Sequence, residues 1–170
     1  MPSPKAITRK TPTARRIARR QGHAGGAAFP TPSPMHESAR LLGIPASDAS
    51  TLIRRVRQGF PFATVERLRQ AFALSTDELT TLVQIPTRTM TRRKASGRLK
   101  ADESDRVLRA VRLMHRATVL FNNDPTAAKA WMATPQRGLG GAVPLELAGT
   151  EVGAREVEDA LGRIEDGVFA

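Results

Sequence analysis

The chain contains no cysteine. That absence removes disulfides, thiolate metal sites and cysteine catalysis together, and it suits a reducing compartment. Tyrosine is also absent, there is one tryptophan, and aromatics make up only 4% of the sequence. A core must therefore rest on leucine, valine, isoleucine and alanine. No apolar run approaches the ~20 residues that span a bilayer. The basic N-terminus lacks the apolar stretch of a secretory signal. Histidine is scarce as well: His23, His36 and His115 lie far apart. His36-Glu37 begins the H-E-x-x-H zinc pattern, but Arg40 stands where the second histidine is needed. Gly138-x-Gly140-Gly141 lacks the Gly-Lys-Ser/Thr of a phosphate loop, so turn glycines are the reading there. The acids Glu156, Glu158 and Asp159 read as a solvated helix surface. No catalytic residue, metal or cofactor is expected.

What is present is basic charge, unevenly distributed. The 170 residues carry a net charge of +11 and are 40% hydrophobic, enough for one domain or two small ones plus tails. Residues 1–122 hold 23 Lys/Arg against 8 Asp/Glu, whereas residues 123–170 hold 4 against 8. A basic front suits nucleic acid and an acidic back suits a protein. Residues 1–35 read as a disordered arm. The first 34 contain six of the 12 prolines, no acid, and the block Arg15-Arg16-Ile17-Ala18-Arg19-Arg20. Such a segment cannot bury enough apolar surface to offset its ordering entropy. It either adds phosphate contacts or has no role in binding.

The rest reads as all-α. Leu41, Leu42 and Ile44 are apolar anchors before Pro45. Helices are expected near 47–58, ended by Gly59, and near 63–72, burying Val65, Leu68 and Phe72. Ser75-x-x-Glu78 is a capping box ahead of Leu79, Leu82 and Val83. Pro86 stops that helix, Thr87 can cap the next, and T-R-T-M-T-R-R-K follows at 87–94. Two short helices with a tight turn match a helix-turn-helix, whose second helix enters the major groove. Thr87, Arg88, Thr89, Thr91, Arg92, Arg93 and Lys94 are the candidate DNA-binding residues. Arginine can grip guanine with two bonds, threonine can reach phosphate or a thymine methyl, and lysine neutralises phosphate. Met90 belongs to the buried side.

Asp102 or Ser104 is expected to cap a long helix to about Phe121. Its stripe of Val107, Ala110, Val111, Met114, Ala117 and Phe121 is core. The opposite stripe, Arg106, Arg109, Arg112 and Arg116, reads as solvated or phosphate-facing. Asp124-Pro125 starts another helix, ending at Trp131-Met132. Trp131 is core or interface. Pro135 and Gly140-Gly141 break the pattern, and helical period returns after Thr150. There Gly153, Ala154, Val157, Ala160, Leu161 and Ile164 share a face, and Gly167 is placed to end the helix.

These segments resemble the Xre/ParS/MbcA-type antitoxins. The resemblance is carried by T-R-T-M-T-R-R-K at 87–94, L-K-A-D-E-S-D-R at 99–106, A-W-M-A-T-P at 130–135, L-G-G-A-V-P-L-E-L at 139–147 and T-E-V-G-A-R-E-V-E-D-A-L-G-R-I-E-D-G at 150–167. It covers about residue 40 to the end. Ala148-Gly149 departs from the pattern, since relatives usually carry a larger apolar residue and an Asp or similar there.

The resemblance implies an Xre-like helix-turn-helix and dimerisation region over 36–121. A small helical toxin-binding domain over 122–170 would follow. It implies a bacterial, cytoplasmic antitoxin of a type II toxin–antitoxin module, a homodimer within a toxin–antitoxin hetero-oligomer, with no membrane partner. Such proteins inhibit a RES-domain, NAD-consuming toxin and repress their own operon at operator DNA. Trp131, Pro135, Leu139, Gly140, Gly141, Pro144, Glu165, Asp166, Gly167, Val168, Phe169 and Ala170 are then the candidate toxin-binding residues. Val168-Phe169-Ala170 is apolar and small enough to enter a cleft, with Glu165 and Asp166 beside it to meet a basic site. Otherwise Phe169 folds back onto Ile164 and Leu161. Two alternatives are a stand-alone helix-turn-helix regulator with a C-terminal protein-interaction domain and a structural adaptor with no DNA role.

Overall fold

A computed structural model describes residues 34–45 and 48–167, so the basic arm up to residue 33 and the tip Val168-Phe169-Ala170 lie outside the described residues. Among the described residues the fold is all-α, with no strand and one isolated bridge between Pro61 and Arg98. None of these helices is long and apolar enough to cross a membrane.

Local signals fix most helix ends. Helix α1 is Pro34–Leu41 and α2 is Ala49–Gln58. Asp48 caps α2 by accepting from the Thr51 N–H at 2.8 Å. Helix α3 is Ala63–Ala71 and α4 is Thr76–Val83, whose Ser75/Glu78 capping box is complete. Helix α5 is Thr87–Ser96. Thr87 is its first residue, not its cap. Pro86 occupies the cap with ψ 146°, an extended setting from which the helix starts one residue early. Helix α6, Ala101–Leu120, likewise begins before either expected cap, because the Glu103 carboxylate reaches back to the Lys100 N–H at 2.7 Å.

Asp124 caps α7, Pro125–Met132, accepting from the Thr126 and Ala127 N–H groups, with proline in the first turn. A 3-10 turn at Arg137–Leu139 and a short α8, Pro144–Leu147, occupy the stretch expected to be helix-free. Pro144 brings the φ that a first helical residue needs. Helix α9, Glu151–Glu165, is capped by the Thr150 hydroxyl, and Gly167 follows at φ +70°.

Helix α6 is the axis. It packs against α1, α2, α3, α4, α7 and α9. Val107, Leu108, Ala110, Val111, Leu113, Met114 and Ala117 are buried on it, a wider arc than one stripe, because neighbours surround it. One hydrophobic cluster runs from Ala39 through Leu161.

The arginine side of α6 is not simply solvated. Arg109, Arg112 and Arg116 pair with Glu151, Glu158 and Glu165 of α9 at 3.2, 2.7 and 2.9 Å. The three glutamates recur every seventh residue, which keeps them on one line of α9. The arginines recur at three and four. Arg106 pairs within its own helix, with Asp102 at 2.9 Å. Glu158 therefore leaves the solvated surface to which the sequence pattern assigns it. Burial supplies most of the stabilisation and the ladder sets how α9 lies. Partly exposed pairs contribute only about 0–1 kcal/mol each.

Gly153 lets α9 meet α8. A Cβ there would collide with the Leu147 carbonyl. That carbonyl is fixed, since it accepts from the Thr150 N–H at 3.2 Å. Gly153→Ala is expected to destabilise the fold by about 1–3 kcal/mol despite alanine's better helix propensity. Urea unfolding of the two proteins checks it, and equal midpoints would show that α8 yields.

Candidate functional site

Two short helices, α4 and α5, carry the first candidate surface. Gln84 leaves α4 in the left-handed region at φ +52°, and Ile85-Pro86 completes the turn. Leu79, Leu82, Val83, Ile85 and Met90 are buried beneath it. Met90 at the centre of the inner side turns the opposite side of α5 outward. Arg88, Thr91, Arg92 and Ala95 are exposed there. Thr87 is exposed at the helix start and Thr89 is half-buried. Arg88 and Arg92 have no carboxylate partner among the described residues. Their guanidiniums can form bidentate bonds to a guanine edge or a phosphate.

The other two basic candidates stand differently. Lys94 is exposed and makes a loose pair with Glu66 at 3.2 Å. Arg93 is turned inward. Its Nε donates to both oxygens of Glu103, at 3.0 and 2.7 Å, and its side chain is 12% exposed. Glu103 is itself buried and also accepts from the Lys100 N–H. One carboxylate thus joins the last turn of α5 to the first turn of α6. Arg93 acts on α5 by holding its angle, a part that the run of basic residues at 92–94 does not reveal.

Further bonds tie the two halves of the chain. Lys129 of α7 donates to Ala73 O at 2.7 Å and pairs with Glu78 of the capping box at 3.0 Å. Gly149, between α8 and α9, lies against the turn residue Gln84. A Cβ there would fall 2.6 Å from the Gln84 side-chain nitrogen. Ala148 beside it is buried. Within the small pair that departs from the resembled pattern, Gly149 leaves room for the Gln84 side chain in this position.

The second candidate surface is the loop from 133 to 143 and the end of α9. Gln136 organises the loop. Its N–H donates to Ala142 O, its carbonyl accepts from Gly141, and its side-chain amide donates to Trp131 O and Thr134 O. Gly140 and Gly141 sit at φ +65° and +83°, where side chains are disfavoured. Arg163 of α9 donates to Gly138 O at 3.0 Å, holding the loop against the last turns of that helix. Pro135, Gly140, Gly141, Asp166 and Gly167 are exposed, and Leu139 is half-buried. Pro144 is buried and starts α8. Trp131 is half-buried, its ring 6.3 Å from that of Phe121. Glu165 is already engaged by Arg116. Lys129, Gln136 and Arg163 were not singled out by the sequence pattern, since each acts on a backbone carbonyl distant in sequence or hidden in a loop.

Burial alone would raise the Glu103 pKa. The Arg93 hydrogen bonds and the Lys100 N–H outweigh it and hold the carboxyl below its ordinary value. A depressed carboxylate contributes stability that is complete above its unfolded pKa and is lost as pH falls through the folded one. Glu103→Gln is expected to cost about 1.5–3 kcal/mol at neutral pH, the range for hydrogen bonds to charged groups. The gap from the unsubstituted protein should be full above the ordinary glutamate pKa, narrow as pH falls below it, and close once pH passes the depressed folded value. Urea titrations at a series of pH values measure it, and a gap independent of pH would assign the loss to packing.

Residues 51–112 match the Antitoxin Xre-like helix-turn-helix domain, and residues 116–167 match the Antitoxin Xre/MbcA/ParS C-terminal toxin-binding domain. The first match contains α4 and α5, and the second contains the 133–143 loop and α9. The chain is 38% identical over 143 residues to Antitoxin Xre of Yersinia enterocolitica, covering 83% of this chain and 97% of that protein. It is 35% identical over 132 residues to Antitoxin Xre of Photorhabdus laumondii, covering 77% and 89%. A third relative, Antitoxin Xre of Pseudomonas putida, is 31% identical over 130 residues, covering 75% and 79%. The chain belongs to the Xre antitoxin family, with that family's helix-turn-helix domain ahead of its C-terminal toxin-binding domain.

Proposed function

We propose that this protein is the antitoxin of a type II toxin–antitoxin module, inhibiting a RES-domain, NAD-consuming toxin and repressing its own operon. The observation that carries the DNA half is where two unpaired cations stand: Arg55, Arg57 and Arg69 also lack carboxylate partners among the described residues, but Arg88 and Arg92 lie on the second helix of the turn motif. The arginines of α6 have carboxylate partners, whereas Arg88 and Arg92 on the outward face of α5 have none among the described residues. Thr87, Thr89, Thr91 and Lys94 flank them. Arg93 orients α5 through Glu103. The toxin half rests on the family's toxin-binding domain, in which Arg163 holds the loop around Leu139 against the last turns of α9.

In this reading Asp166, Gly167 and the tip Val168-Phe169-Ala170 approach the toxin's cleft. The chain's acid and apolar end then excludes substrate by charge and by bulk. Glu165 would first have to leave Arg116. The protein acts by binding, as a homodimer within the toxin complex, and performs no chemistry of its own.

Two measurements test the halves separately. Arg88→Ala or Arg92→Ala is expected to cost about 1–3 kcal/mol on the operator, with weaker effects on unrelated duplexes. Unchanged operator affinity in the folded double variant would remove α5 as the reader. Deleting residues 165–170 should leave operator binding intact and impair rescue of cells expressing the cognate RES toxin. Full rescue at matched expression would move inhibition to the loop and the exposed side of α9.

A further inference from the structure

The end of α2 and the end of α5 are stitched together. The Phe62 N–H donates to Gly97 O at 3.0 Å, and the Leu99 N–H donates to Phe60 O at 2.8 Å. Gly59 makes the approach possible, because a Cβ there would collide with the Leu99 carbonyl. The Arg98 guanidinium closes the stitch through Nη1, which donates to Gly59 O at 2.8 Å and Gln58 O at 3.3 Å. These bonds bring two arginines, 43 positions apart in sequence, to one hollow. Arg55 and Arg98 line a cavity of about 110 Å³ with Gln58, Gly59 and Pro61. No acidic residue lines it.

We propose that Arg55 and Arg98 clamp one backbone phosphate of DNA beside the C-terminal end of α5, a contact outside the recognition face. The proposal rests on α5 being the DNA reader and extends its footprint.

Three physical arguments support the ligand class. Two guanidiniums around one small hollow repel each other, and an anion between them relieves that repulsion. Arg55 is exposed and has no ion pair or side-chain hydrogen bond among the described residues, so its fork is available. Only one nitrogen of Arg98 is engaged by the stitch; Nε and Nη2 make no hydrogen bond there. Guanidinium forks match phosphate oxygens in geometry as well as charge. The size agrees too. A single water needs only about 10–15 Å³ of such space, so the hollow has room for a phosphate group's oxygens.

The position gives the contact its purpose. Gly97 ends α5 one residue before Arg98, so a phosphate held there fixes how far α5 advances along the groove. Phosphate contacts of this kind set register and carry no sequence information themselves. Arg98 also covers the last carbonyls of α2, whose negative end would otherwise repel an anion.

The test uses Arg55, because Arg98 also holds the stitch. Full-length protein, Arg55→Gln and Arg55→Lys are titrated with an operator duplex and an unrelated duplex of equal length, across a sodium chloride series. Each phosphate contact contributes about 0.9 to the slope of log affinity against log salt. Arg55→Gln is expected to lower the slope by that amount on both duplexes. Its affinity should fall about five- to tenfold at 0.1 M salt. The operator preference should be unchanged, and Arg55→Lys should restore the slope. An unaltered slope in Arg55→Gln, with operator binding intact, overturns the clamp and leaves α5 as the reader. A loss confined to the operator also overturns it, because that would make Arg55 a base contact. Absence of binding to either duplex by the unsubstituted protein removes the DNA reading and the clamp with it. Equal melting temperatures of the three proteins confirm that the fold is not the variable.

Discussion

Every other element of the described fold depends on the burial of α6. Its twenty residues carry a broad apolar arc and a row of arginines, and neither could be left as it stands in the sequence. The apolar arc is covered by helices from both sides of the chain. The arginines are covered by the acidic line of α9. A helix with both demands cannot belong to one half of the protein. The core therefore continues without a break from α1 to α9, across the junction between the two family domains.

That continuity constrains how the two candidate surfaces relate. The helix-turn-helix is held to α6 by Glu103 and Arg93 and to α7 by Lys129, and the Gln84 side chain lies close to Gly149 of the α8–α9 turn. The loop at 133–143 is held to α9 by Arg163, and α9 is held to α6 by the ladder. Each surface is presented by backbone turns locked with side-chain bonds. Surfaces fixed in this way lose little conformational freedom on contact with another molecule.

The allocation of arginines shows how charge alone misleads. The basic front suggests a uniform cationic surface. Instead, Arg93, Arg106, Arg109, Arg112 and Arg116 are tied to carboxylates, and Arg67 and Arg98 donate to backbone carbonyls. Arg88 and Arg92 remain outward because Met90 needs the inner side of the same short helix. A single buried methionine thus decides which of its basic neighbours faces outward.

By itself the sequence determined most of the longer helices, their order and several of their ends, but neither α8 nor the 3-10 turn before it. The signals for these are local: the Ser75/Glu78 box, Asp124-Pro125, the period-3.6 stripes and Gly167 all act within a turn or two of chain. It also determined the family, since the motifs from Trp131 onward are contiguous. Tertiary structure decided what residues of the same type do. Whether Arg93 reads or braces depends on Glu103, which an independent helix brings to it. Whether the α6 arginines are solvated depends on α9, more than thirty residues away, although the seven-residue spacing of Glu151, Glu158 and Glu165 held the hint. The placing of Arg55 and Arg98 on one hollow, and of Gly149 beside Gln84, has no counterpart in any local pattern. Periodicity fixes the face a residue occupies on its own helix; only packing fixes what lies opposite that face.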